Sequence, residues 1–265
     1  GIMSQAVGLS EAAYQEAYAY AIERKQFGQT IDNFPAVYEM LSIMRAKTDA
    51  SRAHLYETCR FVDMYKTLED IQRERKLTPE ERKELKYYTR LADAFTPIGK
   101  GLSTEFANQN VYDCVQIHGG SGYMKDYTCE RLYRDVRITN IYEGTTQLQV
   151  VAAIRHVTTG TYYERMHEYQ ATEVKPEWQA MKESLAAMNE RAHELTQFVV
   201  EQKNQELLDF QARRLVEMTS HALFGHLLLL AANDKPELFG KSARVYHRFA
   251  LAEQDKIERF VRNFA

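Results

Sequence analysis

Gln116-Ile-His-Gly-Gly-Ser-Gly-Tyr123, followed after a short interval by Asn140-Ile-Tyr-Glu-Gly-Thr-Thr-Gln147, is the stretch on which the reading of this chain turns. Of the chain's 12 glycines, Gly119, Gly120, Gly122 and Gly144 fall inside it. There the backbone has to turn sharply or let a ligand approach. Helical patterns run into the window and out of it, and a turn-rich segment held between rigid helices is a natural place for a site.

Working outward, the pattern is nearly all helical. Upstream, Leu9 to Gln26 repeats small or apolar residues at Ala13, Ala17, Tyr20 and Ala21 and is expected to stop at Gly28. Pro35 suits a first helical position, with Asp32 or Asn33 as cap. Val37, Leu41, Met44, Thr48, Ser51, Leu55, Cys59 and Val62 then form a bundle seam. Thr78-Pro-Glu-Glu81 reads as a capping box opening a third helix, with Leu85, Tyr88, Leu91, Phe95, Ile98 and Leu102 on one side. Pro97 lies inside that helix and predicts a kink.

Downstream of the window, a short amphipathic piece spans Glu130 to Asp135, and Thr145 caps a fourth helix running to His156. Thr158-Thr-Gly160 marks a boundary. Three more antiparallel helices follow, opening at Lys175-Pro-Glu-Trp178, Leu207 and Pro236. The expected architecture is all-α: an up-down four-helix bundle over 1–157, then an additional antiparallel helical domain over 158–265.

Composition narrows the class. The 265 residues carry a formal net charge of -3 with both signs intermixed, which argues against nucleic acid as the main partner. No apolar run is read as approaching a membrane span, and a soluble, cytoplasmic protein is expected. Cys59, Cys114 and Cys129 lack metal-site or disulfide spacing, so no metal is assigned and reduced structural thiols are expected. Gly1-Ile-Met-Ser already reads as helix interior, so the chain is expected to be a portion of a longer one.

Three groups of residues can bear chemistry. Glu143 precedes a glycine and a helix start and is flanked by Ile141 and Tyr142, whose bulk would desolvate it. Burial moves a carboxyl towards the range of a general base, and a helix N-terminus pulls the other way. From these residues alone an exposed glutamate near a helix start is the favoured reading, since strongly perturbed acids are the minority. Arg24-Lys-Gln-Phe-Gly28 places a forked cation, an amide and an aromatic at a helix end, a combination that can hold a pyrophosphate beside a flat ring or simply sit in solvent. Gly119-Gly120 can admit a phosphate to backbone amides, and can equally be a plain turn.

Taken jointly, Glu23-Arg-Lys-Gln-Phe-Gly28, Gln116-Ile-His-Gly-Gly-Ser-Gly-Tyr123, Glu130-Arg-Leu-Tyr-Arg-Asp135 and Ile141-Tyr-Glu-Gly-Thr-Thr-Gln147 resemble the C-terminal helical domain of the acyl-CoA dehydrogenase family. The resemblance covers residues 1 to 157. Residues 158 to 265 resemble the extra helical domain of the larger bacterial members.

The resemblance implies an FAD enzyme that oxidises an acyl-CoA thioester to a trans-2-enoyl-CoA. Glu143 matches the base that removes the α-proton. Arg24, Gln26 and Phe27 match contacts to the FAD of a neighbouring subunit, and Gln116, Gly119 and Gly120 match the lining of its ADP portion. Thr145 and Gln147 match contacts to the FAD of the same subunit, and Tyr142 and Gly144 would border the acyl pocket. A homodimer or homotetramer and an electron-transferring flavoprotein as acceptor are implied as well.

Pro35 stands where the family commonly has glutamine, and residues 68 to 84 form a charged insertion. The family's N-terminal helical and middle β domains do not lie in these residues, so the polypeptide alone is expected to be inactive. A non-catalytic helical assembly module and an acyl-CoA oxidase of the same superfamily are the alternatives.

Overall fold

Four of the chain's 5 prolines, Pro35, Pro79, Pro176 and Pro236, open helical segments, where a missing N–H costs nothing; Pro97 lies inside a helix. The computed structural model describes residues 1–264, and among them nine α-helices. These are α1 (Ile2–Glu23), α2 (Pro35–Glu74), α3 (Pro79–His118), α4 (Thr128–Val136), α5 (Thr146–Thr158), α6 (Thr161–Gln170), α7 (Gln179–Glu201), α8 (Gln205–Asp234) and α9 (Pro236–Asn263). The expected all-α class is what the chain adopts.

Two helices organise the molecule. Both α2 and α3 have 40 residues, which at 1.5 Å per residue is roughly 60 Å. They run antiparallel: Asn110 of α3 donates to the Met44 carbonyl of α2 at 3.2 Å, and His54 of α2 lies over Gly99 of α3. In contrast, α1 runs parallel to α3, with Met3 over Gly99 at one end and the Tyr20 ring stacked on His118 at 4.3 Å at the other. One apolar core joins α1, the start of α2, the end of α3 and α4. The other joins the middle of α2 and the middle of α3 to α5 through α9, so it runs across the helix break at Thr158-Thr-Gly160.

The capping box is formed: the Glu81 amide donates to Thr78 Oγ1 at 3.2 Å, and the Thr78 amide to Glu81 Oε2 at 2.8 Å. Thr145 caps α5 by accepting from the Leu148 amide at 3.4 Å.

Several expectations need correction. Helix α1 ends at Glu23, and Gly28 belongs to a tight hairpin pairing Lys25–Gln26 with Gln29–Thr30. Phe34 is the N-cap of α2 and gives no side-chain cap; the Asn33 amide donates to Thr30 Oγ1 at 2.8 Å instead. The buried seam of α2 continues from Ser51 through His54, Thr58 and Phe61, leaving Cys59 exposed. Along its length α2 exchanges α1 for α8 and α9 as neighbours, and its buried face shifts accordingly. Helix α6, with Tyr162, Met166 and Tyr169 buried, was not anticipated. By length and composition α8 is apolar enough to cross a membrane, yet its apolar window is 83% buried against the other helices.

Candidate functional site

The segment from Ile141 to Gln147 is a turn before α5. Glu143 has φ 52° and Gly144 φ 90°, two successive left-handed residues, and the first is one that a side chain rarely tolerates. The turn is tied on three sides. Lys100 of α3, only 6% exposed, donates from Nζ to the Gly144 carbonyl, which also accepts from Gln149 Nε2 at 3.2 Å. Thr146 Oγ1 donates to Glu105 Oε1 of α3 at 2.8 Å. The Tyr142 hydroxyl donates to Gln5 Oε1 of α1.

Glu143 itself is exposed in this chain, and Ile141 is 41% exposed, so its flanking residues do not desolvate it as expected. Thr145 and Gly144 are half-buried, and Gln147 is exposed at the start of α5. Tyr142 is half-buried against α1.

The other candidates gather at the far end of α1 and α3. The Tyr20 hydroxyl donates to Ser121 Oγ at 3.4 Å, and one turn later the Arg24 amide closes the helix on the Tyr20 carbonyl at 2.9 Å. The hairpin bearing Arg24, Gln26 and Phe27 therefore stands beside the glycine corner bearing Gln116, Gly119 and Gly120. Phe27 is 93% exposed at φ 47°, with its ring edge-on to Phe34 at 6.3 Å. An exposed aromatic in a strained conformation is a recurrent mark of a contact site. Gln116, Gly119 and Gly120 are exposed, and a Cβ at either glycine would meet no other atom within 4 Å.

Next to this corner lies an open groove of about 740 Å³, lined by Tyr112, Gln116, Tyr123, Met124, Tyr133 and Arg134. Open space at the glycines, an exposed guanidinium-bearing hairpin and an aromatic groove fit a large planar, phosphate-bearing ligand such as FAD. The two groups of candidates remain apart: Gln5 and Tyr20 are fifteen residues apart on α1, roughly 22 Å.

Chain spacing did not group Cys114, His118 and Cys129, yet their donor atoms lie within 4.8 Å of one another, all buried. His118 Nδ1 is 2.8 Å from the Cys114 carbonyl, and Cys129 Sγ donates to the Gly122 carbonyl at 3.6 Å. Burial pushes both thiols up, so they stay protonated and act here as packing between α3 and α4. Lys100 and Glu105 also escaped the sequence reading. Their signal is a charged residue among the buried positions of α3, legible only once that helix is known to be covered on several faces. On α4 the Arg134 guanidinium pairs with Glu130 at 2.8 Å.

Residues 1–158 match the family model described as "Acyl-CoA dehydrogenase, C-terminal domain", and residues 158–265 match "Acyl-CoA dehydrogenase C terminal". A caffeyl-CoA reductase-Etf complex subunit of Acetobacterium woodii is 36% identical over 149 residues, 56% of this chain and 33% of that protein. An acyl-CoA dehydrogenase of Bacillus subtilis is 32% identical over 161 residues, 61% of this chain and 36% of that protein. The chain thus spans about a third of the length of these relatives. In fold it resembles the crystal structure of an acyl-CoA dehydrogenase complexed with FAD from Bacillus anthracis, with TM-score 0.75 and 23% identity, over 98% of this chain and 47% of that one. With both family models matched in succession from the first residue to the last, the chain belongs to the acyl-CoA dehydrogenase family.

Proposed function

We propose that this chain carries the catalytic base of an FAD-dependent acyl-CoA dehydrogenase, with Glu143 removing the α-proton of an acyl-CoA thioester. The observation that carries the reading is the Glu143-Gly144 turn: a carboxylate on a strained backbone that three neighbouring elements hold in place. A carboxylate on a held backbone that itself forms no hydrogen bond or ion pair among the described residues is available to a substrate rather than used by the fold.

A carboxylate is a weak base for a thioester α-proton, so the site has to stabilise the developing oxyanion and exclude water. The Glu143 backbone N–H supplies one donor to the thioester oxygen. Shelter for the exposed side chain comes from the portions of the relatives' length that this chain does not span. When bound, FAD accepts the β-hydrogen as hydride. Tyr142 and Gly144 border the acyl group, and Thr145 and Gln147 contact the FAD of the same subunit.

The second group, Arg24, Gln26, Phe27, Gln116, Gly119 and Gly120, receives the FAD of a neighbouring subunit, its ADP portion against the glycines. Its distance from Glu143 along α1 is the reason to assign it to a second cofactor copy, which makes a homodimer or homotetramer the working assembly. An electron-transferring flavoprotein serves as acceptor, and the protein works in the cytoplasm. Residues 1–157 and 158–265 are taken as the catalytic-domain bundle and an appended helical domain. Relatives named reductases favour a second reading in which net flow runs towards the saturated thioester. The same carboxylate then returns the proton to Cα.

Glu143→Gln in the full-length enzyme tests the assignment. It keeps the shape and removes the base, and turnover of a panel of acyl-CoAs should fall about 10²-fold or more. Turnover within a few-fold of wild type refutes the role.

A further inference from the structure

We infer that Lys100 is a positioning residue for the reaction assigned to Glu143: its ammonium, bound to the Gly144 carbonyl, anchors the far end of the two-residue turn that carries the base. This rests on reading Glu143 as the base.

A lysine this deeply buried has to find an acceptor, because an unpaired ammonium in an apolar surround is costly. Among the described residues, the Gly144 carbonyl is the acceptor that Nζ reaches. Gln149 Nε2 takes the same oxygen from the other side at 3.2 Å and also reaches the Glu143 carbonyl at 3.4 Å. With both lone pairs of Gly144 O engaged, the peptide plane after Gly144 cannot rotate. The Gln149 bond to the Glu143 carbonyl holds the preceding plane as well, so the left-handed pair at φ 52° and φ 90° is anchored at its C-terminal end. Lys100 therefore acts on the direction of the Glu143 side chain and of its N–H without touching the substrate.

The charges around the turn are few. Glu105, on the same helix as Lys100, is engaged by Thr146 at 2.8 Å and by Arg213 of α8 at 3.9 Å. His54 of α2 is fully buried, which pushes its imidazole down to about 3 and leaves it neutral. Burial also pulls Lys100 down, and the Glu143 carboxylate opposes that shift.

The test uses the full-length holoenzyme. In Lys100→Met the stem stays and the charge and donor go, so kcat should fall about ten- to a hundred-fold, the range for losing a charged hydrogen bond. KM should stay within about threefold and FAD content unchanged. Gln149→Leu removes the neutral donor and should lower kcat several-fold, with KM again little changed.

A Lys100→Met enzyme that holds FAD and turns over within twofold of wild type overturns the inference. Should Lys100→Met not fold, wild-type kcat in Gln149→Leu overturns it instead. Glu143→Gln measured in parallel separates the two readings, since activity retained there refutes the base, whereas activity lost there with full turnover in Lys100→Met refutes the positioning role alone.

Discussion

Glu143 and Gly144 take left-handed backbone in succession, and the two do not bear it equally. At φ 90° Gly144 pays no steric penalty, whereas an alanine there would cost on the order of 1–2 kcal/mol. Its Cβ would also stand 2.9 Å from Gln149 Nε2, the movable end of a side chain that helps to clamp the turn. Gly144→Ala should therefore lower stability by about 1–2 kcal/mol in chemical denaturation. Turnover should fall further than that loss implies, because the substitution disturbs the peptide that orients the base. Unchanged melting and unchanged turnover would contradict it. The sequence made this pair conspicuous, since Glu-Gly ahead of a threonine cap is a local pattern. Lys100 was not conspicuous, because its role depends on a residue forty-four positions away.

At the scale of elements, α3 shows what local rules reach. Its capping box was legible because both partners lie within four residues. Gly99 was not, although it decides how three helices meet. A Cβ there would lie 2.4 Å from Met3 Cε and 2.6 Å from His54 Cε1. Met3 can swing aside, but the His54 ring is held between Phe95 at 5.2 Å and Phe224 at 4.5 Å. Alanine in mid-helix gains about 1 kcal/mol of propensity over glycine. Overpacking costs about 1–3 kcal/mol, and a sandwiched ring leaves little room to relax. Gly99→Ala should therefore destabilise despite its better propensity, and a raised melting temperature would contradict the packing account. The hairpin after α1 was misread because Gly28 suits a helix end as well as a two-residue turn, and only the pairing of Lys25 with Thr30 distinguishes them. Helix α6 is short and buries tyrosines, which carry a weak periodic signal.

Over the whole molecule, the larger core holds three histidines in the neutral form. Burial pushes His54 and His221 down to about 3 and His226 to about 4, below the 6.5 of an exposed imidazole. The unfolded chain binds more protons than the folded one between those values. The stability they contribute is present above pH 6.5 and is lost as pH falls through that window, each at up to about 1.4 kcal/mol per pH unit. Burial alone would raise Glu57, but hydrogen bonds from Arg60, Tyr169 and Arg165 prevail and hold it down to about 2, so its contribution is lost only below pH 4.5. Unfolding free energy should decline from pH 6.5 towards pH 4, and less steeply in His221→Leu; a flat profile over that range would contradict the buried-imidazole account. The same core joins α2 and α3 to α5 and its successors, so the turn before α5 is positioned by packing on both sides of residue 158. Helical periodicity gave the elements of this arrangement, but the sharing of one core between them is a long-range property that no local pattern carries. The central claim is that Glu143 takes the α-proton, and isotope exchange tests it most directly. The full-length holoenzyme is incubated in D2O with an acyl-CoA whose β-carbon bears no hydrogen, so that the α-proton can leave and return while no hydride can follow. Deuterium should enter Cα with the wild-type enzyme and about 10²-fold or more slowly with Glu143→Gln; exchange at the wild-type rate in Glu143→Gln would contradict the account.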